Sequence, residues 1–315
     1  MIVFYASDGW EHTERLIPVI DEMSGCQIEL VTRMPESLIA SAIQTNRDFK
    51  IRRLSTEVGF IEEPGMEQNL QKTISKWRES LTNCKKLVRD EVEYLRAKDT
   101  PIKLIVSDMS FIAPIVAQEL HIPCFCIASF DWPSHFYYTR SSNPEFSRML
   151  DRIDEITRKF DKCIIPGMQH ETPFHDVEHI AFPYIARKRK VSSTEIRDMF
   201  GLNIYQDSVF LNISVADVQR INSETWRTFN KFKFYVMAKK SDCPSDNPIP
   251  NLVYLPRSQW YKYRPEIMST VDVVFGKLEY GVVAEATQGR KPFLCVTRRH
   301  CPEDKGYMRS LDDTL

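Results

Sequence analysis

The chain has 315 residues, enough for two domains that each bury a core, and this excludes a small scaffold held by disulfides or a metal. Its 42 Lys plus Arg against 43 Asp plus Glu leave a formal charge of −1, so no net field draws in nucleic acid or an anionic membrane. With 43% hydrophobic and 27% charged residues the composition is that of a folded globular protein rather than a disordered one. In chain order, Ile2 to Ala6 is an apolar run followed by a polar loop, then Leu16, Ile17, Ile20 and Met23 at helical spacing, then a second run from Gln27 to Val31. This pattern predicts a β-loop-α-β unit. Helical spacing resumes at Leu38, Ile39 and Ile43, and Met66, Leu70, Ile74, Trp77, Leu81, Val88, Val92 and Leu95 mark one long helix or a helical hairpin. Leu104 to Val106, a helix with Pro114 in its first turn, and Cys124 to Ile127 form another β-α-β unit. Their strands are apolar throughout, as suits a sheet covered on both faces.

After Ile185 the composition changes to Arg187-Lys188-Arg189-Lys190, which reads as a solvated linker run, and Ser192 to Glu195 is a capping signature for a short helix ending near Gly201. A second alternating set follows: Val209 to Leu211, Phe232 to Met237, Leu252 to Leu255, Val273 to Phe275 and Phe293 to Val296, with a helix from Gly281 to Thr287 closed by Gly289. The expected fold class is α/β, with two doubly wound Rossmann-like domains spanning residues 1–186 and 202–315, joined by a linker and short helix at 187–201. Ligands are expected at the carboxyl ends of the strands. The eight cysteines include no C-x-x-C pair and read as reduced, buried residues. The first residues lack a basic segment before a long apolar one, and no apolar stretch approaches the roughly 18–20 residues of a membrane helix. A cytoplasmic protein is expected.

Asp8, Gly9, His12 and Arg15 lie in the loop after the first strand and at the start of the first helix. Asp108 ends the strand of the next unit, where neighbouring strand ends meet in a doubly wound sheet. A carboxylate beside an imidazole fixes its tautomer and raises its basicity, which suits His12 to take a proton from a sugar hydroxyl. Taken alone, the first segment reads as a surface turn and Asp108 as a helix cap. In the third constellation, residues 275–293, a strand and turn lead to a helix start whose amides at Gly281 and Val282 can hold a diphosphate, with Lys277 offsetting its charge. Glu285, one turn on, is spaced for a ribose diol. The spacing of Gly276 and Gly281 is not a P-loop, because Val282 and Val283 stand where Lys and Ser or Thr are needed. His170, His175 and His179 are interrupted by Pro173, so no metal site is expected, and His300 beside Cys301 is a weak nucleophile candidate.

The first loop with His12 and Arg15, LIVSDMSFIAPIVAQELHIPCFCIASFDW, IARKRKVSSTEIRDMFGL and DVVFGKLEYGVVAEA follow one another here in an order and spacing that is specific. Together they resemble the glycosyltransferase-like amino-terminal region of plant L-arabinokinases and its stand-alone bacterial relatives. These are GT-B proteins, similar to UDP-glucuronosyltransferase-like and MurG-like enzymes. The resemblance spans nearly the whole chain. It implies a nucleotide-sugar donor, UDP-linked by preference, on the carboxyl half and a small-molecule or glycan acceptor on the amino half. It also implies His12 as base, Arg15 as its companion, Asp108 as the orienting carboxylate, Glu285 as ribose ligand, and Gly9, Asp131 and Trp132 on the acceptor side. No obligatory metal or other cofactor is implied.

The chain departs from that pattern in its loops. The family's G-H-G-x-G-H loop is Ser7 to His12 here, with one glycine and two carboxylates, Glu279 stands where the donor loop has glycine, and Val282 replaces a hydroxyl residue. Only 10 of 315 residues are glycine, against a usual ~7%. Side chains hold a backbone away from phosphate, and carboxylates repel it. The expected function is sugar transfer from a nucleotide sugar, with a catalytically inactive binding or regulatory scaffold as the alternative.

Overall fold

Unbroken apolar runs separated by one-faced helices can bury both surfaces of a sheet only by winding helices onto each side of parallel strands. The computed structural model of the chain describes all residues except 44–48, 57–58, 60, 64–66, 137–142, 168–175, 203–205, 244–248, 299–300 and 313–315. Contacts separate it into two units, one of Met1–Glu63, Gln68–Ile185 and Arg299–Leu315, the other of Ala186–Arg298.

The first unit holds β1 (Ile2–Ala6), α1 (Trp10–Glu22), β2 (Ile28–Thr32), α2 (Glu36–Ala42), β3 (Phe49–Arg53), α3 (Leu70–Arg96), β4 (Leu104–Asp108), α4 (Ile112–Leu120), β5 (Cys124–Ile127), α5 (Trp132–His135), α6 (Pro144–Thr157), β6 (Lys162–Pro166) and β7 (His179–Phe182). Its sheet runs β3-β2-β1-β4-β5-β6-β7, all parallel. The chain therefore reverses its winding direction between β1 and β4, and loops leaving those two strands diverge to opposite faces, opening the crevice where doubly wound sheets bind ligands. The predicted long helix is α3, a single helix of 27 residues that buries Ile74, Trp77, Val88, Val92 and Leu95 against the sheet.

The second unit holds α7 (Ser193–Phe200), β8 (Asp207–Asn212), α8 (Val215–Arg220), α9 (Ser223–Thr228), β9 (Phe232–Ala238), β10 (Leu252–Pro256), α10 (Arg257–Thr270), β11 (Val273–Lys277), α11 (Tyr280–Gln288) and β12 (Phe293–Val296). Its sheet order, β10-β9-β8-β11-β12, is again parallel, and the reversal falls between β8 and β11. Ser192 caps α7 in a full capping box with Glu195, and Gly201 closes it in the left-handed conformation, as the sequence predicts.

The last helix, α12 (Pro302–Asp312), groups with the first unit, whereas the sequence reading placed 202–315 together. It packs against α5 and buries Tyr307, and Cys301 just before it is buried as well. Contacts likewise join the expected linker, 187–201, to the second unit. All eight cysteines are free, and no helix among the described residues is long and apolar enough to cross a membrane.

Charged residues inside the first unit are satisfied by one another. Glu91 of α3 accepts from Tyr5 Oη at 2.7 Å and from both terminal nitrogens of Arg52 at 2.6 Å. Arg52 Nε reaches Glu29 at 2.7 Å, and Lys98 Nζ closes the network on the other Glu29 oxygen at 2.7 Å. Breaking such a network strands a charge away from water. Glu91→Ala is expected to lower unfolding free energy by about 3 kcal/mol, read from urea denaturation, and a loss no larger than that of an exposed pair such as Lys86–Asp90 would contradict the role given to it.

Candidate active site

The end of β1 and the end of β4 lie side by side at the winding reversal, with Ala6 paired to Asp108. Ser7 stitches them together: its N–H and its hydroxyl both donate to the Asp108 carbonyl at 3.0 Å. Gly9, at φ +152°, starts α1, a backbone conformation that favours glycine, and the helix then turns His12 and Arg15 inward on one face, three residues apart. Both side chains meet Asp108. His12 Nδ1 lies 2.8 Å from Asp108 Oδ1, and Arg15 Nη1 donates to both carboxylate oxygens at 3.0 Å. Asp108 is fully buried, and His12 and Arg15 are 2% and 1% exposed.

An ionised carboxylate only accepts, so Nδ1 carries the hydrogen of the neutral imidazole and Nε2 presents a lone pair. Burial pulls the His12 pKa down, but the charge and hydrogen bond of Asp108 and the charge of Glu11 outweigh it and leave the ring above its ordinary 6.5. Glu11 Oε1 stands 3.9 Å from Nε2. Asp8, in the same loop, accepts from Arg33 and Ser55, and burial raises its pKa. Met109, next after Asp108, holds φ +65°, an uncommon conformation for a side chain with a Cβ and of the kind that gathers at functional strand ends.

Asp131 and Trp132 do not form an open lining. Asp131 caps α5 by accepting from Ser134 N–H at 2.7 Å, and Trp132 is a core residue, edge-on to Trp77 at 5.3 Å and 6.0 Å from the His12 ring. Both residues placed on the acceptor side are therefore buried, and Trp132 belongs to an aromatic cluster beside the imidazole. The C-terminal helix adds residues that sequence spacing could not assign. Tyr307 donates to Glu303 at 2.9 Å, and its pKa is raised by burial first and by Glu303, while the Arg15 guanidinium pulls it down.

In the second unit the reversal brings together the ends of β8 and β11, with Asn212 paired to Gly276. Gly276 has φ +145°, and a Cβ there would lie 2.4 Å from the Asn212 carbonyl oxygen, so only glycine fits. Asn212 Nδ2 donates to the Lys277 carbonyl at 2.8 Å, a stitch like that of Ser7. Lys277 Nζ is 2.8 Å from Glu279 Oε1, and Asn212 Nδ2 approaches Glu279 Oε2 at 3.4 Å. Val283 N–H to Glu279 C=O is the first bond of α11, so the amides before it, including those of Gly281 and Val282, belong to the open helix end. Asn212, Ser214, Lys239, Asp242, Lys277 and Glu279 line a hollow of about 270 Å³ at these strand ends.

Glu285 sits one turn inside α11 but faces two guanidiniums: Arg187 Nε at 3.1 Å and Arg264 Nε at 2.6 Å. Pro265 in α10 has no N–H for the carbonyl four residues earlier, and Arg187 Nη1 donates to that carbonyl, of Tyr261. Arg187 is therefore a buried anchor rather than part of a solvated run. A ribose diol would have to share Glu285 with this network. Among the described residues no group of three metal-ligating side chains occurs, and His170, His175 and His300 lie outside the described residues.

Removing the Asp108 carboxylate leaves Arg15 buried without that counter-ion. Asp108→Ala is expected to cost about 3–5 kcal/mol in denaturant unfolding, well above His12→Ala, and a cost under 1 kcal/mol would show that other groups hold Arg15.

No family model matches the chain. It is 24% identical over 316 residues to L-arabinokinase of Arabidopsis thaliana, a match that covers 98% of this chain and 29% of the relative, so the chain spans less than a third of that protein's length. The fold matches a UDP-glucosyltransferase from Polygonum tinctorium capable of glucosylating indoxyl with a TM-score of 0.67 at 12% identity, over 100% of this chain and 83% of the other. UGT2 of Phytolacca americana, solved with UDP-2fluoro-glucose and pterostilbene, matches with a TM-score of 0.64 at 9% identity, over 98% and 82%. Two parallel, doubly wound sheets and these matches establish that the chain has the GT-B fold of the UDP-glycosyltransferases.

Proposed function

We propose that the chain is a glycosyltransferase that moves a sugar from a nucleotide donor, UDP-linked by preference, to a hydroxyl-bearing small molecule or glycan. The observation that carries the reading is the buried His12–Asp108 pair at the winding reversal of a GT-B fold. His12 Nε2 takes the proton of the acceptor hydroxyl, the acceptor oxygen bonds to the anomeric carbon, and the bond from that carbon to the donor phosphate breaks with its electron pair. Attack opposite the leaving group inverts the centre. The departing diphosphate is stabilised by Lys277 and the amides at the start of α11, so the reading calls for no metal. Asp108 holds the imidazole in the reactive tautomer and stabilises the imidazolium that forms.

A second reading, a binding scaffold without turnover, is favoured by one observation: the lysine meant for phosphate is already paired with Glu279. Incubation with a panel of UDP- and GDP-sugars and candidate acceptors separates the two. Transfer or donor hydrolysis that falls roughly 10²–10⁴-fold in His12→Ala is the expected result, and equal activity in that variant would remove His12 from the mechanism. Because the reaction needs neutral His12 and its pKa lies above 6.5, the rate should fall as pH drops through that raised value. Asp108→Asn should lower the rate and move this limb to lower pH, since burial then dominates.

A further inference from the structure

The side chain at position 279 is the feature of the second unit that the fold does not explain. Glu279 precedes α11 but does not cap it, for its carboxylate makes no hydrogen bond to the helix amides. It turns instead to Lys277 Nζ at 2.8 Å and lies within 3.4 Å of Asn212 Nδ2, along the wall of the 270 Å³ hollow. Burial pushes its carboxyl up, but Lys277, then Arg298 and Arg264, outweigh this and keep it below its ordinary value, so it is a carboxylate at neutral pH. Arg298 is fixed by donating to the Leu278 carbonyl at 3.0 Å, and Arg264 by Glu285. Lys239 and Asp242 complete the charged lining. The hollow thus holds two lysines and two carboxylates, and Lys277 is already paired with Glu279.

We propose that Glu279 is the specificity-determining residue of this hollow: its carboxylate is the resident counter-ion of Lys277, and a phosphate gains that lysine only by displacing it. The inference rests on the reading of the hollow as the donor phosphate site. An incoming diphosphate meets the same lysine and the same amide dipoles that favour any anion, but it must first move a negative charge that is covalently present and always at hand. Donors are then ranked by how well their phosphates compete with an internal carboxylate. A ligand without phosphate is indifferent to it.

Calorimetric titration of the full chain with UDP and with uridine tests this. Glu279→Gln keeps the side chain's size and removes its charge, and Glu279→Gly serves as a second variant without the side chain. Both are expected to bind UDP about ten- to a hundredfold more tightly than the unaltered protein, the range of one charge-assisted contact, with uridine affinity unchanged. Adding Lys277→Ala to Glu279→Gln should abolish the gain, because the two residues act as a coupled pair. Equal or weaker UDP binding in both variants, with the unaltered protein still binding, overturns the role of Glu279 and leaves the donor site standing. Failure of all these proteins to bind either UDP or uridine overturns the donor reading itself, and this inference with it.

Discussion

One carboxylate organises the first unit. Asp108 ends β4 with no access to water, yet it carries a formal charge and faces an imidazole and a guanidinium that are themselves buried. None of the three is tolerable alone in such a place, and each is satisfied by the others. The arrangement fixes the rotation of α1 against the sheet, since His12 and Arg15 must both point to the β4 end. It also leaves one imidazole nitrogen committed to structure and the other open to chemistry. Fold stability at this strand end, and the reactivity proposed for it, therefore depend on the same atoms.

The second unit repeats the architecture with the charges distributed differently. A side chain at the end of the first strand of each sheet, Ser7 just after β1 and Asn212 last in β8, stitches a carbonyl of the fourth, Asp108 and Lys277. Where the first unit has an imidazole and a guanidinium around an acid, the second has a lysine already answered by Glu279. Glu285, one and a half turns further along, is drawn into a separate ion network by Arg187 and Arg264. That network has a covalent origin in Pro265, which leaves a carbonyl without its helical donor and gives Arg187 a fixed place to bind. Both carboxylates near the start of α11, Glu279 and Glu285, are thus engaged by the protein's own cations.

The sheet strands and long helix were legible because apolar periodicity reports burial, and burial decides these elements. Strand-end geometry in a doubly wound sheet brings the loop of His12 to Asp108, and the resemblance adds Arg15 as its companion. What the sequence could not show was orientation. The resemblance implies Trp132 on the acceptor side, but its environment, set by Trp77 in a helix far away in sequence, makes it core. Arg187 read as one of four solvated cations because its partners, Glu285 and the Tyr261 carbonyl, lie 98 and 74 residues further on. Tyr307 and Glu303 were invisible for the same reason: a helix at the end of the chain returns to the first unit, and no local pattern encodes that return. β3 carries no apolar run to mark it, since Lys50 and Arg53 face water and Arg52 is held by Glu29 and Glu91, partners distant in sequence.

The central claim is that Asp108 holds His12 as a basic imidazole with Nε2 free. Nitrogen NMR of the imidazole, followed through a pH titration in the unaltered protein and in Asp108→Asn, tests it without reference to any substrate. The account predicts a neutral ring protonated on Nδ1 that titrates above 6.5, with the titration moving to lower pH in the variant. A ring protonated on Nε2, or one that titrates at or below 6.5 in both proteins, would contradict it.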